Sequence, residues 1–266
     1  MKTTLRCSLL TALILLPALI RTASAIPNDF DTDGTSDIVT VTSPTSGLRT
    51  WSIIPSSAPG SPITFNFGIS SDSLTLGSWF VPNSPVVGIA RADTVEAGII
   101  WKALNSTSTA VEEELGALGS FALSGGDFFG DGVVDGAVVR NVAGKIRWRV
   151  RNSLLADPSI TPISFILGRN GARAFYMSLD GLRDWAAIIE PQNSKNSRVR
   201  LRNVQSGQVR TFRKFPRSLT RGSRPRPFPI RSIDGTDVLG FLRQDAADTT
   251  LSVYRLDGTR IQNITI

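Results

Sequence analysis

A polar turn that runs straight into an apolar strand occurs five times in this chain, at Asp33-Gly, Asn83-Ser, Asp131-Gly, Asp180-Gly and Asp234-Gly, with spacings of 50, 48, 49 and 54 residues. A second marker keeps phase with the first. Trp51, Trp101 and Trp148 follow their turns by 18, 18 and 17 residues, and Val199 and Val253 follow theirs by 19. Two features in register at a period near 50 are the signature of stacked or radial repeats, and any fold for the chain has to accommodate them.

Within a period the pattern is that of strands. In the third, residues 136–140, 145–151, 163–167 and 172–178 are short runs rich in β-branched or aromatic residues, with turn residues between them. No stretch shows a capped helical period; residues 111–118 come nearest and are short. Four short strands per repeat predict an all-β chain, a β-propeller of about five blades of four antiparallel strands, which protects its sheet edges by radial arrangement. We expect one domain over residues 26–266, with repeats beginning near 29, 79, 127, 176 and 230. An open array of β-repeats or a pair of sandwiches is the alternative. Counted from its turn, the last period ends after three strands, so residues 26–30 are expected to supply that blade's fourth. Residues 224–229, Pro-rich, read as an extended connector. The tryptophans, at constant phase, are expected in the core rather than as sugar-stacking platforms.

Residues 1–25 have the form of an export leader: Lys2 and Arg6, an apolar run, then Ala23-Ser24-Ala25. That run is about 12 residues, against roughly 20 for a membrane-spanning helix, and no transmembrane segment is expected elsewhere. A secreted, periplasmic or surface location follows. The single cysteine, Cys7, lies in the leader, so no disulfide framework or thiol nucleophile is expected beyond it. Histidine is absent, which removes Ser-His-Asp and Cys-His catalysis and His-ligated zinc. Catalysis by carboxylates alone stays open.

The first turn concentrates acids: Asp29, Asp31, Asp33, Gly34 and Asp37 lie within nine residues. Calcium takes about six to eight oxygens at roughly 2.3–2.6 Å, which carboxylates at alternate positions around a glycine bend can supply. Four carboxylates this close are costly without a compensating cation. The expected ligands are Asp29, Asp31, Asp33 and Asp37 with the carbonyl of Thr35; the competing reading is a set of Asx-turns. An EF-hand is a poorer match, since the twelfth position is Thr40 rather than Glu. The third-period loop keeps Asp127, Asp131 and Asp135 but has Phe129 where a carboxylate stood, making it a weaker candidate. The remaining turns keep Asp180 and Asp184, Asp234 and Asp237, or Asn83 alone, and are expected to be structural.

The pattern D-x-D-x-D-G-x-x-D followed by an apolar strand resembles the FG-GAP or VCBS repeat of integrin-type propellers and many bacterial secreted proteins. The first and third repeats carry the resemblance, and the others share only its spacing. It implies a propeller with calcium in its inter-strand loops, held at Asp29, Asp31, Asp33 and Asp37, with Asp127, Asp131 and Asp135 as the weaker set. That family commonly has longer repeats and seven blades, so five is the count from this chain alone.

Charge is segregated. Residues 28–139 hold 3 basic and 13 acidic side chains, whereas 140–232 hold 20 basic and 4 acidic. Arg198, Arg200 and Arg202 alternate and would place three guanidinium groups on one strand face, with Arg210, Arg213 and Lys214 close by. Such a surface suits phosphate, sulfate or carboxylate, and for an exported protein the expected partners are acidic polysaccharide, lipopolysaccharide or an acidic protein rather than nucleic acid. Solubility alone also explains exposed arginines. The chain is therefore expected to be a non-enzymatic binding or adhesion module with calcium as its cofactor; a carboxylate-only glycan-active enzyme and a structural subunit of a surface assembly are the competing readings.

Overall fold

The computed structural model describes residues 29–43, 47–92, 98–104, 109–123, 126–157, 159–179, 183–220, 226–228, 238–244 and 249–265. Residues 1–25, read above as an export leader, and the acids Asp180, Asp234 and Asp237 lie outside them. The described residues form five antiparallel sheets in chain order. The first has three strands, β1 (Ile38–Thr42), β2 (Leu48–Ile54) and β3 (Ile63–Ile69). The second has β4 (Ser73–Gly77), β5 (Val86–Ala92), β6 (Ile99–Leu104) and β7 (Ala110–Glu114). The third has β8 (Phe121–Leu123), β9 (Gly136–Val142), β10 (Lys145–Arg151) and β11 (Ile163–Arg169). The fourth has β12 (Arg173–Ser178), β13 (Asp184–Pro191), β14 (Asn196–Arg202) and β15 (Val209–Pro216). The fifth has β16 (Arg226–Phe228), β17 (Val238–Gln244), β18 (Thr249–Arg255) and β19 (Arg260–Thr265). The sheets are arranged as a five-bladed β-propeller, the architecture the repeat predicted.

The blade boundaries fall one strand earlier than the turn-based count. β12 pairs with β13 across the turn that precedes Asp184, so the run at 172–178 opens the fourth blade instead of closing the third. For the same reason the fifth blade is complete without residues 26–30. Its first strand is β16, antiparallel to β17, and this strand lies inside the stretch read as a connector. It is the first sheet that has three described strands. A polar turn joins two strands of one sheet because antiparallel neighbours need only a short link. Residues 111–118 are not helical: β7 occupies the first half of them and none of the rest is helix.

Consecutive blades pack face to face through apolar clusters. Trp51 and Ile53 of the first meet Val87 and Ile89 of the second. Trp101 and Ala103 meet Val134 and Val138, Trp148 and Phe165 meet Ala186 and Ile188, and Val199 and Leu201 meet Leu239 and Phe241. The three phased tryptophans are fully buried, which excludes them as sugar platforms and places them in these interfaces.

Two of the three share a backbone feature. β3 and β11 each carry a register shift against the strand beside them, with Gly68 at φ 81° and Gly168 at φ 105° in the irregular stretch, a region that favours glycine. The Trp51 indole N–H donates to the Phe67 carbonyl at 2.7 Å, and the Trp148 indole N–H to the Leu167 carbonyl at 3.0 Å, so each ring satisfies a carbonyl next to the irregularity. β6 and β7 pair without a shift, and the Trp101 indole N–H has no partner.

Candidate functional site: the aspartate loops and the arginine faces

The first loop crosses from residue 29 to β1 as a knot of carboxylates and amides. Asp29 accepts from the amides of Asp33 (3.1 Å) and Gly34 (3.0 Å), Asp31 also accepts from the Asp33 amide (3.2 Å), and Asp33 accepts from Thr35 (2.8 Å). Asp37, 6% exposed, ties both ends together: it accepts from the Phe30 amide and from the Ser56 amide, each at 2.7 Å. The turn after β2 supplies further donors, the Ser56 hydroxyl to Asp33 and the Ser57 hydroxyl to Asp31. The Ser57 hydrogen bond is the main reason the Asp31 carboxyl is held below its usual range.

Ligand oxygens of Asp29, Asp31 and Asp37 all lie within 4.8 Å of one another, and among the described residues theirs is the one group of three acids that comes so close. Two oxygens bound to one calcium at about 2.3–2.6 Å can be at most roughly 5 Å apart, so these three fit a shared ion. A carboxylate oxygen accepting one N–H keeps a second lone pair for a cation. Asp33, expected as a ligand, is instead turned toward Thr35 and Ser56.

The third-blade loop repeats this scaffold. Asp127 accepts from the amides of Gly130 (2.6 Å), Asp131 (3.2 Å) and Gly132 (2.9 Å). Asp135, fully buried, accepts from Phe128 (2.6 Å) and Ser153 (2.8 Å), and the Ser153 hydroxyl donates to Asp131. Ser153 thus does for this loop what Ser56 does for the first. Both stand five residues after the phased tryptophan, a signal that a search for acids alone passes over. Burial pushes the Asp135 carboxyl up to about 8, with the Ser153 amide opposing and the nearby Asp127 and Asp131 charges adding to the rise. Burial also raises Asp127.

A group raised on folding holds its stabilising proton fully below the unfolded pKa, about 3.8–3.9, and loses that contribution as pH climbs through the folded value. In chelator the protein should therefore lose stability between about pH 4 and pH 8. Melting midpoints at pH 5 and pH 8 test this, and the expected outcome is a fall of several degrees in the wild type that an Asp135→Asn variant does not show. Equal wild-type midpoints at the two pH values would refute it.

The arginine stripe takes its predicted place. Along β14 burial alternates, with Val199 and Leu201 inward and Arg198, Arg200 and Arg202 on the opposite face. These arginines are already engaged, however. Glu190 on β13 is fully buried, and its Oε1 receives the Arg198 Nε at 2.8 Å and lies 3.1 Å from the Arg200 Nε. Arg169 approaches its other oxygen at 3.8 Å. The Arg202 guanidinium lies 4.7 Å from the Phe165 ring centre, and that of Arg210 lies 5.2 Å from the Trp185 ring centre. Arg213 and Lys214 are exposed on β15. The anion-facing stripe is thus in large part an internal ion cluster seated between the third and fourth blades, and Glu190 was the residue the charge count did not weigh.

The run Glu112, Glu113 and Glu114 lies on β7, where Lys102 pairs with Glu112 and Arg151 lies 3.7 Å from Glu113. No helix among the described residues is long and apolar enough to cross a membrane.

No family model matches the chain, so the FG-GAP or VCBS resemblance is carried by the loop pattern alone. No curated protein matches it. Among solved structures, TolB from Acinetobacter baumannii aligns with 91% of this chain at 15% identity and a TM-score of 0.39. A quinonprotein alcohol dehydrogenase-like protein from Bacteroides thetaiotaomicron aligns with 86% at 8% identity and a TM-score of 0.40. The chain spans 65% and 66% of the lengths of these two. The five-bladed arrangement rests on the sheets and their interfaces, not on these likenesses.

Proposed function

We propose that this chain is an exported, calcium-braced propeller that acts as a non-enzymatic binding module for an anionic partner. The observation that carries this reading is the exposure of arginine and lysine side chains on the third and fourth blades, with Arg140, Lys145, Arg147, Arg149, Arg213 and Lys214 all exposed. A rigid β framework that keeps like charges on its strand faces concentrates positive potential where a polyanion can use it. The leader-like segment at residues 1–25 supports export. Calcium at Asp29, Asp31 and Asp37 would bind the first loop to the turn carrying Ser56 and Ser57, a bracing role at the start of the ring.

Two measurements test the reading. Saturating calcium should raise the melting temperature over chelator by about 5 to 10 °C, since a ligand at 100 times its Kd contributes about 2.7 kcal/mol. Asp31→Ala should abolish the shift. A wild-type protein that melts at one temperature with and without calcium removes the metal from the account. Acidic polysaccharides and lipopolysaccharide should be retained by the protein with an affinity that falls as salt rises, and neutral glycans should not. Equal retention of both would remove the anionic partner.

A further inference from the structure

The repeat allows the blade interfaces to be compared position by position. Trp148 and Val199 share a phase, so Arg147 and Arg149 on β10 correspond to Arg198 and Arg200 on β14. Arg140, opposite Arg147, then corresponds to Glu190, opposite Arg198. In the second blade Arg91, opposite Ile100, holds this same place. Arg91 is met by the buried Asp72 carboxylate through two bonds of 2.7 and 2.8 Å.

Asp72 stands four residues after Gly68, and Ser120 stands four residues after Gly116, each glycine having a positive φ. Both side chains close the turn that follows the glycine, Asp72 by accepting the Ile69 amide and the Ser120 hydroxyl by accepting the Ala117 amide. The interface of blades one and two therefore carries an acid at the turn position, Asp72, and the interface of blades three and four carries one at the strand position, Glu190. Between blades two and three both positions lack one, with Ser120 and Arg140 in their places.

Like charges directly opposite on neighbouring strands are destabilising, and Arg140 is directly opposite Arg147, with Arg149 two residues further on the same face. All three are exposed, and none has a side-chain hydrogen bond or ion pair among the described residues. With Ser120, Ser164 and Val138 they line a cavity of about 200 Å³. A water needs only about 10–15 Å³ of such space, so the half-open cavity has room for more than a bare inorganic anion. Val138 and Val142 give one wall an apolar character suited to a sugar ring.

We propose that this cavity binds a carboxylate-bearing sugar unit, a hexuronate of an acidic polysaccharide, whose oxyanion takes the place that the Asp72 carboxylate fills beside Arg91 at the interface of blades one and two. Guanidinium forks hold a carboxylate in two parallel hydrogen bonds, and the hydroxyls of Ser120 and Ser164 are further donors. The proposal rests on the reading of the chain as a binding module for an anionic partner and names the site and the chemical group.

The test is calorimetric titration of the full-length exported protein at constant ionic strength with glucuronate, sulfate, phosphate and glucose. Glucuronate should bind most tightly and glucose not at all. Arg140→Ala and Arg147→Ala should each weaken glucuronate tenfold or more without lowering the melting temperature. Lys195→Ala, which removes equal charge from an exposed residue outside the cavity, should leave it within twofold. Ser120→Asp, which supplies the acid that Asp72 supplies next door, should abolish binding and raise the melting temperature. The proposal is overturned if glucuronate fails to bind, if sulfate or phosphate binds more tightly through the same arginines, or if Lys195→Ala weakens binding as much as Arg140→Ala. An acidic polysaccharide that binds wild type and both cavity variants alike would sink the cavity assignment and leave the binding-module reading standing. A wild type that binds neither polymer nor monosaccharide would sink both.

Discussion

Arg198→Ala should destabilise the protein by about 3 kcal/mol, the lower end of the cost of breaking a buried ion pair by removing one partner. Glu190 is fully buried and takes its two shortest contacts from Arg198, Nε at 2.8 Å and a terminal nitrogen at 2.7 Å. With those gone, a carboxylate shut away from water keeps Arg200 at 3.1 Å and the more distant Arg169. The loss corresponds to about 6 to 12 °C in melting temperature for a chain of this size. Glu190→Leu combined with Arg198→Leu should recover most of it, because an apolar pair needs no compensation. Arg147→Ala is the informative control. It changes the same residue type at the same repeat position, yet its guanidinium is exposed and has no acid opposite, so the expected change is within about 0.5 kcal/mol. Urea unfolding of the three variants decides the matter. Equal losses at the two arginines would mean that Glu190 is not the cause.

Trp148→Ala should cost more, about 3–5 kcal/mol, the range for removing a large aromatic from a packed interior. The ring is fully buried, stacked on Phe165 at 5.8 Å and 10°, and its N–H holds the Leu167 carbonyl. The cavity it leaves would lie between two blades, among Val139, Val150, Ala186 and Ile188, where neither sheet can move inward without disturbing the other interface. Trp148→Phe keeps most of the burial but orphans the carbonyl and should cost a further 1 kcal/mol or so beyond the volume change. Trp101→Phe should be milder, since the Trp101 N–H has no partner to lose. Denaturant midpoints ranking Trp148→Ala below Trp148→Phe, and that below Trp101→Phe, are the expected result. The reverse order of the two phenylalanine variants would refute the role given to the indole N–H.

How much of this was legible beforehand follows from what a repeat can encode. The five turns and the phased tryptophans determined the class, the blade number and the burial of Trp51, Trp101 and Trp148, because strand period and turn chemistry are local and recur with the chain. The Asp29 to Asp37 loop was legible for the same reason: its carboxylates are close in sequence and so must be close in space. Blade boundaries were not. Whether a strand pairs with the one before or after a turn is settled by hydrogen bonds across that turn, which is how β12 and β16 came to open their sheets.

The charged face shows the limit most clearly. The alternation of Arg198, Arg200 and Arg202 predicted a strand face bearing three guanidinium groups, and β14 has one. The free charge on that face depended on Glu190, which reaches it only through the register of β13 on β14. The sequence by itself determined the repeat, the strand faces and the segregation of charge, since these need only neighbours along the chain. Tertiary structure alone decided which arginines are neutralised and which are left to meet a ligand. Asp72 reaches Arg91 from the link between blades one and two and Glu190 reaches Arg198 from the preceding strand, and at the interface between blades two and three no carboxylate among the described residues arrives to meet Arg140.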